Sequence, residues 1–170
     1  MTRVPANLCA CAAVAAAVLA LAGCGGDERR DAGVADETYT VAVQRTSFPR
    51  EQRLAQRSAF VITVRNAGER AIPNLVVTVR GFTDRAAGAR NADATRDLWI
   101  VDRGPAGAAT ASEDTWAAGR LAPAGTATLR WDVTPVVAGR HELTYEVAPG
   151  LAGRARAVLA GGGAPQGSLM

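Results

Sequence analysis

Apolar and polar residues alternate in short segments between positions 39 and 159, and Gly, Pro, Asn and Asp separate these segments. No stretch keeps the 3.6-residue apolar period of a helix. In segment 126–133 the apolar residues share one side of a two-residue period and the charged residues share the other. The pattern predicts strands over 39–43, 59–65, 72–80, 98–101, 115–117, 126–133, 141–147 and 154–159.

Seven or eight short strands in one domain predict an all-β fold, an immunoglobulin-like antiparallel β-sandwich with two sheets packed over one core. A closed barrel is the alternative. The uncharged phase of the strands should form the inner layer. Its predicted members are Phe60, Leu75, Val77, Leu129, Trp131, Leu143 and Tyr145.

The N-terminal segment follows a different pattern. Arg3 supplies a positive start, residues 8–21 are almost purely apolar, and Leu21, Ala22, Gly23 and Cys24 close the run. The apolar run is short for a membrane span and ends in small residues, so residues 1–23 are predicted to be a cleaved signal peptide. An uncleaved anchor helix is the alternative.

This four-residue box behind an apolar run resembles the lipobox of bacterial lipoproteins. The resemblance implies that Leu21, Ala22 and Gly23 are read by the signal peptidase and that Cys24 carries a diacylglycerol, often with a second acyl group on its amine. Two or more acyl chains hold a protein stably on a membrane. We therefore expect an extracytoplasmic protein, anchored to the cell membrane by a lipid on Cys24.

Cleavage would leave 147 residues, from Cys24 to Met170, enough for one domain with a hydrophobic core. Residues 24–37 carry almost no large apolar side chain and are predicted to be a flexible tether, on the order of 20 Å long as a coil. The sandwich is predicted over 38–160. The glycine-rich stretch 161–165 is predicted to open a flexible tail, 161–170.

Composition narrows the function classes. Without Arg3, 18 arginines face 16 carboxylates, a net charge of +2 that does not favour nucleic-acid binding. Cys9 and Cys11 lie in the signal segment, so the mature domain has no cysteine for a disulfide or a thiolate metal site. His141 is the only histidine. We predict no metal site and no cofactor.

Three stretches, 60–68, 72–77 and 121–126, resemble immunoglobulin-like modules related to the cell-adhesion-related domain in bacteria. The likeness lies in a strand, an Asn-x-Gly turn and a second strand, followed later by a Leu-x-Pro lead-in to a core strand. It implies a sandwich fold far more than it implies a function.

Candidate chemistry is sparse. No Gly-x-Ser-x-Gly elbow occurs and His141 is the only possible histidine base, so no catalysis is expected. Four carboxylates in the 84–102 region offer calcium ligands, but arginines interleave with them and predict a salt-bridged loop. These carboxylates are Asp84, Asp93, Asp97 and Asp102, and the arginines are Arg85, Arg90, Arg96 and Arg103.

Two groups of residues are candidates for a binding surface. Trp99 and Trp116 flank the long loops and are predicted to be exposed to a ligand or partner, whereas Trp131 is predicted to be interior. A basic cluster follows the predicted tether; it is either a solvated surface or a contact with anionic lipid, worth about 1 kcal/mol per arginine. The cluster comprises Arg45, Arg50, Arg53 and Arg57.

The function expected from these features is that of a non-catalytic interaction or scaffold module of the cell envelope, whose partner is another envelope protein or a polysaccharide. The alternative is a lipoprotein that binds sugar or peptidoglycan through its loop ends. A concave aromatic pocket between loops 84–96 and 103–111 would favour the alternative, and a flat polar surface would favour the scaffold.

Overall fold

Ten β-strands form in the part of the chain that the structure, a computed structural model, describes: residues 36–84 and 97–170. They are β1 (Thr38–Ser47), β2 (Ser58–Asn66), β3 (Ile72–Arg80), β4 (Trp99–Arg103), β5 (Ala109–Ser112), β6 (Thr115–Leu121), β7 (Thr126–Pro135), β8 (Leu143–Ala148), β9 (Arg156–Leu159) and β10 (Gln166–Leu169). Within these two ranges, no helix is long and apolar enough to cross a membrane.

The strands form two five-stranded sheets, ordered β4-β7-β2-β1-β9 and β10-β8-β3-β6-β5. The immunoglobulin-like β-sandwich is therefore confirmed, with ten strands in place of the seven or eight expected. Strand β5 was missed because its four small residues resemble a loop. One strand pair is parallel: β9 lies beside the first residues of β1 and runs in the same direction.

The alternation of side chains between the two faces of each strand determines which residues form the core. In β2 the side chains of Phe60, Ile62 and Val64 are buried, and the residues between them are half-buried. Phe60 lies opposite Trp131 of β7 in the pairing register. Six of the seven predicted inner residues are buried, while Tyr145 is half-buried and packs against the core from β8, next to edge strand β10.

Aromatic rings join the two sheets through the centre of this core. The ring centroids of Phe60 and Trp131 lie 5.1 Å apart, and Trp131 meets the edge of Trp116 from the opposite sheet at 5.2 Å. Phe82, which follows β3, contacts Phe60 at 6.2 Å and Trp99 at 6.4 Å. Such pairs each add about 0.5–1.5 kcal/mol beyond the area they bury.

The sandwich has two distinct ends. We call the end where β1 begins at Thr38 the lower end; it also holds turns 67–71 and 122–125. The upper end holds loops 48–57 and 136–142, together with Met170. The ten residues of β1 separate the two ends by about 33 Å, at about 3.3 Å per residue.

Contacts at the lower end fix where the chain enters β1. Tyr39 donates a hydrogen bond from its hydroxyl to Glu37 Oε2 at 3.0 Å, and Arg70 Nη1 lies 2.8 Å from the same oxygen. The guanidinium of Arg70 also lies over the Tyr39 ring, 5.6 Å from its centroid. Buried Asn66 holds the nearby turn by donating to the carbonyls of Arg70 and Leu121.

The prediction of a flexible tail over 161–170 is wrong, because this stretch contains β10. Gly162 and Gly163, each with φ +90°, let the chain reverse after β9 and cross to the other sheet. The N–H of Val147 then donates to the Pro165 carbonyl, and residues 166–169 pair with β8. The glycines that suggest a disordered tail in the sequence form a turn in the structure.

Replacing Trp131 by alanine should lower the free energy of unfolding by about 3–5 kcal/mol, because the cavity would open among fully buried side chains. That is a large share of the roughly 5–15 kcal/mol that a domain possesses. Arg130→Ala and Glu142→Ala should each change it by no more than about 0.5 kcal/mol, since both side chains are exposed. Urea denaturation of the three variants makes the comparison. If Arg130→Ala lowered the free energy of unfolding and Trp131→Ala left it unchanged, the observed register would be contradicted.

Gly167→Ala should destabilise the protein by about 1–3 kcal/mol, because the added Cβ would lie 2.7 Å from the Tyr145 hydroxyl. Gly161→Ala is the matched control, since nothing lies within 4 Å of its Cβ position. The control should change stability by no more than about 1 kcal/mol. Equal midpoints in urea for the two variants would mean that β10 does not pack on β8.

Candidate functional site

All three tryptophans of the chain are buried: Trp99 is 5% exposed, Trp116 4% and Trp131 0%. The prediction that Trp99 and Trp116 form an exposed binding surface is therefore wrong. Both side chains lie on the core side of their strands, and these strands are too short for the sequence to show the alternation clearly. An aromatic platform for sugars is not available from these side chains.

Trp99 has a structural task at the upper end. Its indole Nε1 donates to Gln52 Oε1 at 3.0 Å, and Ser58 Oγ donates to the same oxygen at 3.0 Å. Gln52 Nε2 in turn donates to the Pro49 carbonyl at 3.0 Å. One glutamine side chain thus ties loop 48–57 to the core and to the start of β2.

Backbone contacts hold the other half of this loop. Ala55 has φ +58° and donates its N–H to the Pro135 carbonyl at 3.0 Å, and the N–H of Gln56 donates to the Arg53 carbonyl at 3.1 Å. Phe48 packs edge-on against Phe60 at 5.8 Å. These contacts hold the loop against the sandwich, and its outer surface includes Leu54, which is 52% exposed.

The four arginines of the predicted basic cluster are all exposed. Arg45 lies on β1, paired in register with Thr63, while Arg50, Arg53 and Arg57 lie on loop 48–57. Arg57 Nε lies 3.4 Å from Asp102 Oδ2, which also accepts a hydrogen bond from Thr134 at 2.6 Å. Since the loop is at the upper end, three of the four arginines lie away from the end at which Glu37 enters the sandwich.

Grooves open at the upper end of the described sandwich, and two of them adjoin loop 48–57. The first, about 450 Å³, is polar and is lined by Pro49, Glu51, Gln52, Arg53, Gln56, Arg57 and Ser58. The second, about 530 Å³, lies at the corner between the end of β1 and β10, and we call it the corner groove. Its lining residues are Phe48, Arg50, Gly139, Arg140, Ser168, Leu169 and Met170. No local sequence signal marks the corner groove, because three distant segments form it.

His141 is half-buried and serves in packing. Its ring meets the edge of Trp99, with centroids 5.5 Å apart, and its Nε2 lies 3.1 Å from the Val137 carbonyl.

The carboxylates proposed as calcium ligands are not brought together in the described ranges. Asp102 is engaged by Arg57 and Thr134, and Arg103 pairs with Asp132. Across residues 36–84 and 97–170, no group of three or more His, Cys, Asp or Glu side chains is arranged to hold a metal ion. Of the residues of the predicted salt-bridged loop, one carboxylate and three arginines lie outside the described residues: Asp93, Arg85, Arg90 and Arg96.

Charge is unevenly distributed over the upper end. Arg50 and Arg140 lie at the corner groove, whereas Asp84, Glu113 and Asp114 lie near the ends of β3 and β6. Burial raises the pKa of the Asp114 carboxyl, while the hydrogen bond donated by Thr83 opposes that rise. The corner groove therefore carries two arginines, whereas the ends of β3 and β6 carry carboxylates.

Leu21, Ala22, Gly23 and Cys24, the residues of the predicted signal-peptidase box and lipidation site, lie outside the described residues.

Gln52→Ala should loosen loop 48–57, because it removes three hydrogen bonds and leaves the Trp99 indole N–H without its acceptor. Trypsin, which cuts after arginine, should then cleave the loop about tenfold faster, since local opening costs less free energy. Gln56→Ala is the control, because its side chain is exposed. Equal cleavage rates for Gln52→Ala and the parent would show that Gln52 does not hold the loop.

No protein-family model and no curated protein sequence matches the chain. Among solved structures, the chain is similar to the human F-spondin reeler domain, with 10% identity and a TM-score of 0.39 over 77% of this chain and 86% of that one. It is also similar to the archaellum periplasmic stator protein FlaG from Sulfolobus acidocaldarius, with 10% identity and a TM-score of 0.33 over 77% and 99%. A PapD-like domain of human CEP192 matches with 16% identity and a TM-score of 0.35 over 65% and 70%.

Proposed function

We propose that this chain is a lipid-anchored, extracytoplasmic interaction or scaffold module of the bacterial cell envelope, without catalytic activity. The observation that carries the proposal is the arrangement of the sandwich between two different ends. The chain enters at the lower end, where Glu37 is held by Tyr39 and Arg70, and the fixed loop 48–57 lies at the other end.

This arrangement supports an outward-facing upper end. Acyl chains on Cys24 would hold a point 13 residues before Glu37 at the bilayer, and therefore keep the lower end nearer to it. Arg50, Arg53 and Arg57 are then better placed to meet another envelope component than the lipid that holds Cys24. Contact between these arginines and the same bilayer would require the domain to turn over.

The alternative function, binding of sugar or peptidoglycan through the loop ends, has less support. Stacking on sugar rings needs exposed aromatic faces, and every tryptophan of the chain is buried. The groove beside loop 48–57 is lined mainly by polar and charged side chains. The resemblance to the cell-adhesion-related domain stays a prediction.

Cys24→Ala tests the anchor. The variant should lose labelling by a palmitate analogue in cells and accumulate at the size of the uncleaved precursor, because Cys24 is the one cysteine in the box. Cys11→Ala is the matched control and should be labelled and processed like the parent, since Cys11 lies within the removed segment. A Cys24→Ala protein that is still cut after Gly23 and partitions into detergent like the parent would overturn the lipoprotein assignment.

A further inference from the structure

Strand β1 has an open edge along its upper part. On the side away from β2, its partner is β9, which pairs with Thr38, Tyr39, Thr40 and Val41. From Ala42 to Ser47, no strand within the described residues lies on that side. Within the described part of the chain, β9 therefore covers four of the ten residues of β1, and backbone N–H and C=O groups of the other six face a vacancy.

The second sheet approaches the same side of the sandwich with its own edge strand, β10. Several apolar residues at this corner pack against the core but remain partly exposed. They are Val43, Phe48, Tyr145 and Leu169. The core is thus incompletely covered where the position next to β1 is vacant, and the corner groove opens at the top of this vacancy.

Positive charge marks the corner groove. Arg50 and Arg140 line it, no carboxylate side chain does, and neither arginine forms an ion pair within the described residues. Five other described arginines have a carboxylate partner, whereas Arg50 and Arg140 are among those that have none: the paired residues are Arg57, Arg70, Arg80, Arg103 and Arg130. The groove therefore combines two available guanidinium groups with the apolar side chains of Phe48, Leu169 and Met170.

We propose that an extended acidic segment of a partner protein adds as a strand to the open edge of β1 and ends in the corner groove. The register of β1 with β2 shifts between Val43 and Arg45, so the added backbone would pair with β1 on either side of this irregularity. Its side chains on the core side would cover Val43 and Phe48. Its carboxylates would meet Arg50 and Arg140 in charge-assisted hydrogen bonds. An isolated anion would use the arginines but leave the open edge and the apolar surface unused.

This inference rests on the proposed interaction function and specifies its partner. The test uses the full-length, acylated protein in detergent and a fluorescent nine-residue peptide that alternates valine and glutamate. The peptide should bind, and a peptide alternating valine and lysine should not. Arg50→Ala and Arg140→Ala should each weaken binding about tenfold. Arg154→Ala, which removes an exposed arginine at the lower end, is the matched control and should leave binding unchanged.

Two N-methylated forms of the valine–glutamate peptide test the strand pairing. One is methylated at odd positions and the other at even positions, so only one of them loses the N–H groups that face β1. One form should lose binding and the other should keep it. The proposal would be overturned if both methylated peptides kept their binding, or if Arg154→Ala weakened peptide binding as much as Arg50→Ala does. It would also be overturned if the polysaccharide alginate competed for binding and unlabelled peptide did not. Absence of peptide binding would overturn it as well, and would leave the Cys24→Ala result, which tests the anchor, unaffected.

Discussion

The contact between Phe60 and Trp131 is the interaction on which the rest of the structure depends. These rings lie on neighbouring strands of one sheet, and Trp131 reaches Trp116 of the other. The sequence has no cysteine after position 24, so no disulfide can hold the sheets together. Burial and close packing of large side chains must therefore supply the stability, and the aromatic cluster lies within that packing.

The same cluster extends to the surface that we propose to be functional. Trp99 packs on Phe82 inside the core and donates its indole N–H to Gln52, which holds loop 48–57. Phe48 packs on Phe60 in an edge-to-face arrangement and also lines the corner groove. The position of Arg50 thus depends on buried side chains, and this pre-organisation reduces the conformational entropy that binding would cost.

The edge of β1 is covered at the lower end and open at the upper end, and this difference makes the two ends of the sandwich unlike. At the lower end β9 covers the edge of β1, and the pair formed by Glu37 and Arg70 fixes the incoming chain. At the upper end no strand of residues 36–84 and 97–170 covers this edge, and Arg50 and Arg140, which have no ion-pair partner in these ranges, lie beside it. The anchor that we propose before the lower end and the strand edge at the upper end would together suit a module that links a membrane to a second protein.

Alternation along the strands determined the fold class and most of the core from sequence alone, because side chains two residues apart must share one face of a sheet. Leu129 and Trp131 were placed inside for that reason, and they are buried. Short or glycine-rich segments lack enough residues to show a period, so Trp99, Trp116 and strand β10 were misjudged. Pairing between distant segments was decided only by the tertiary structure. The parallel β9, the vacancy beside β1 and the corner groove arise from contacts between residues far apart in the chain, which no local pattern encodes.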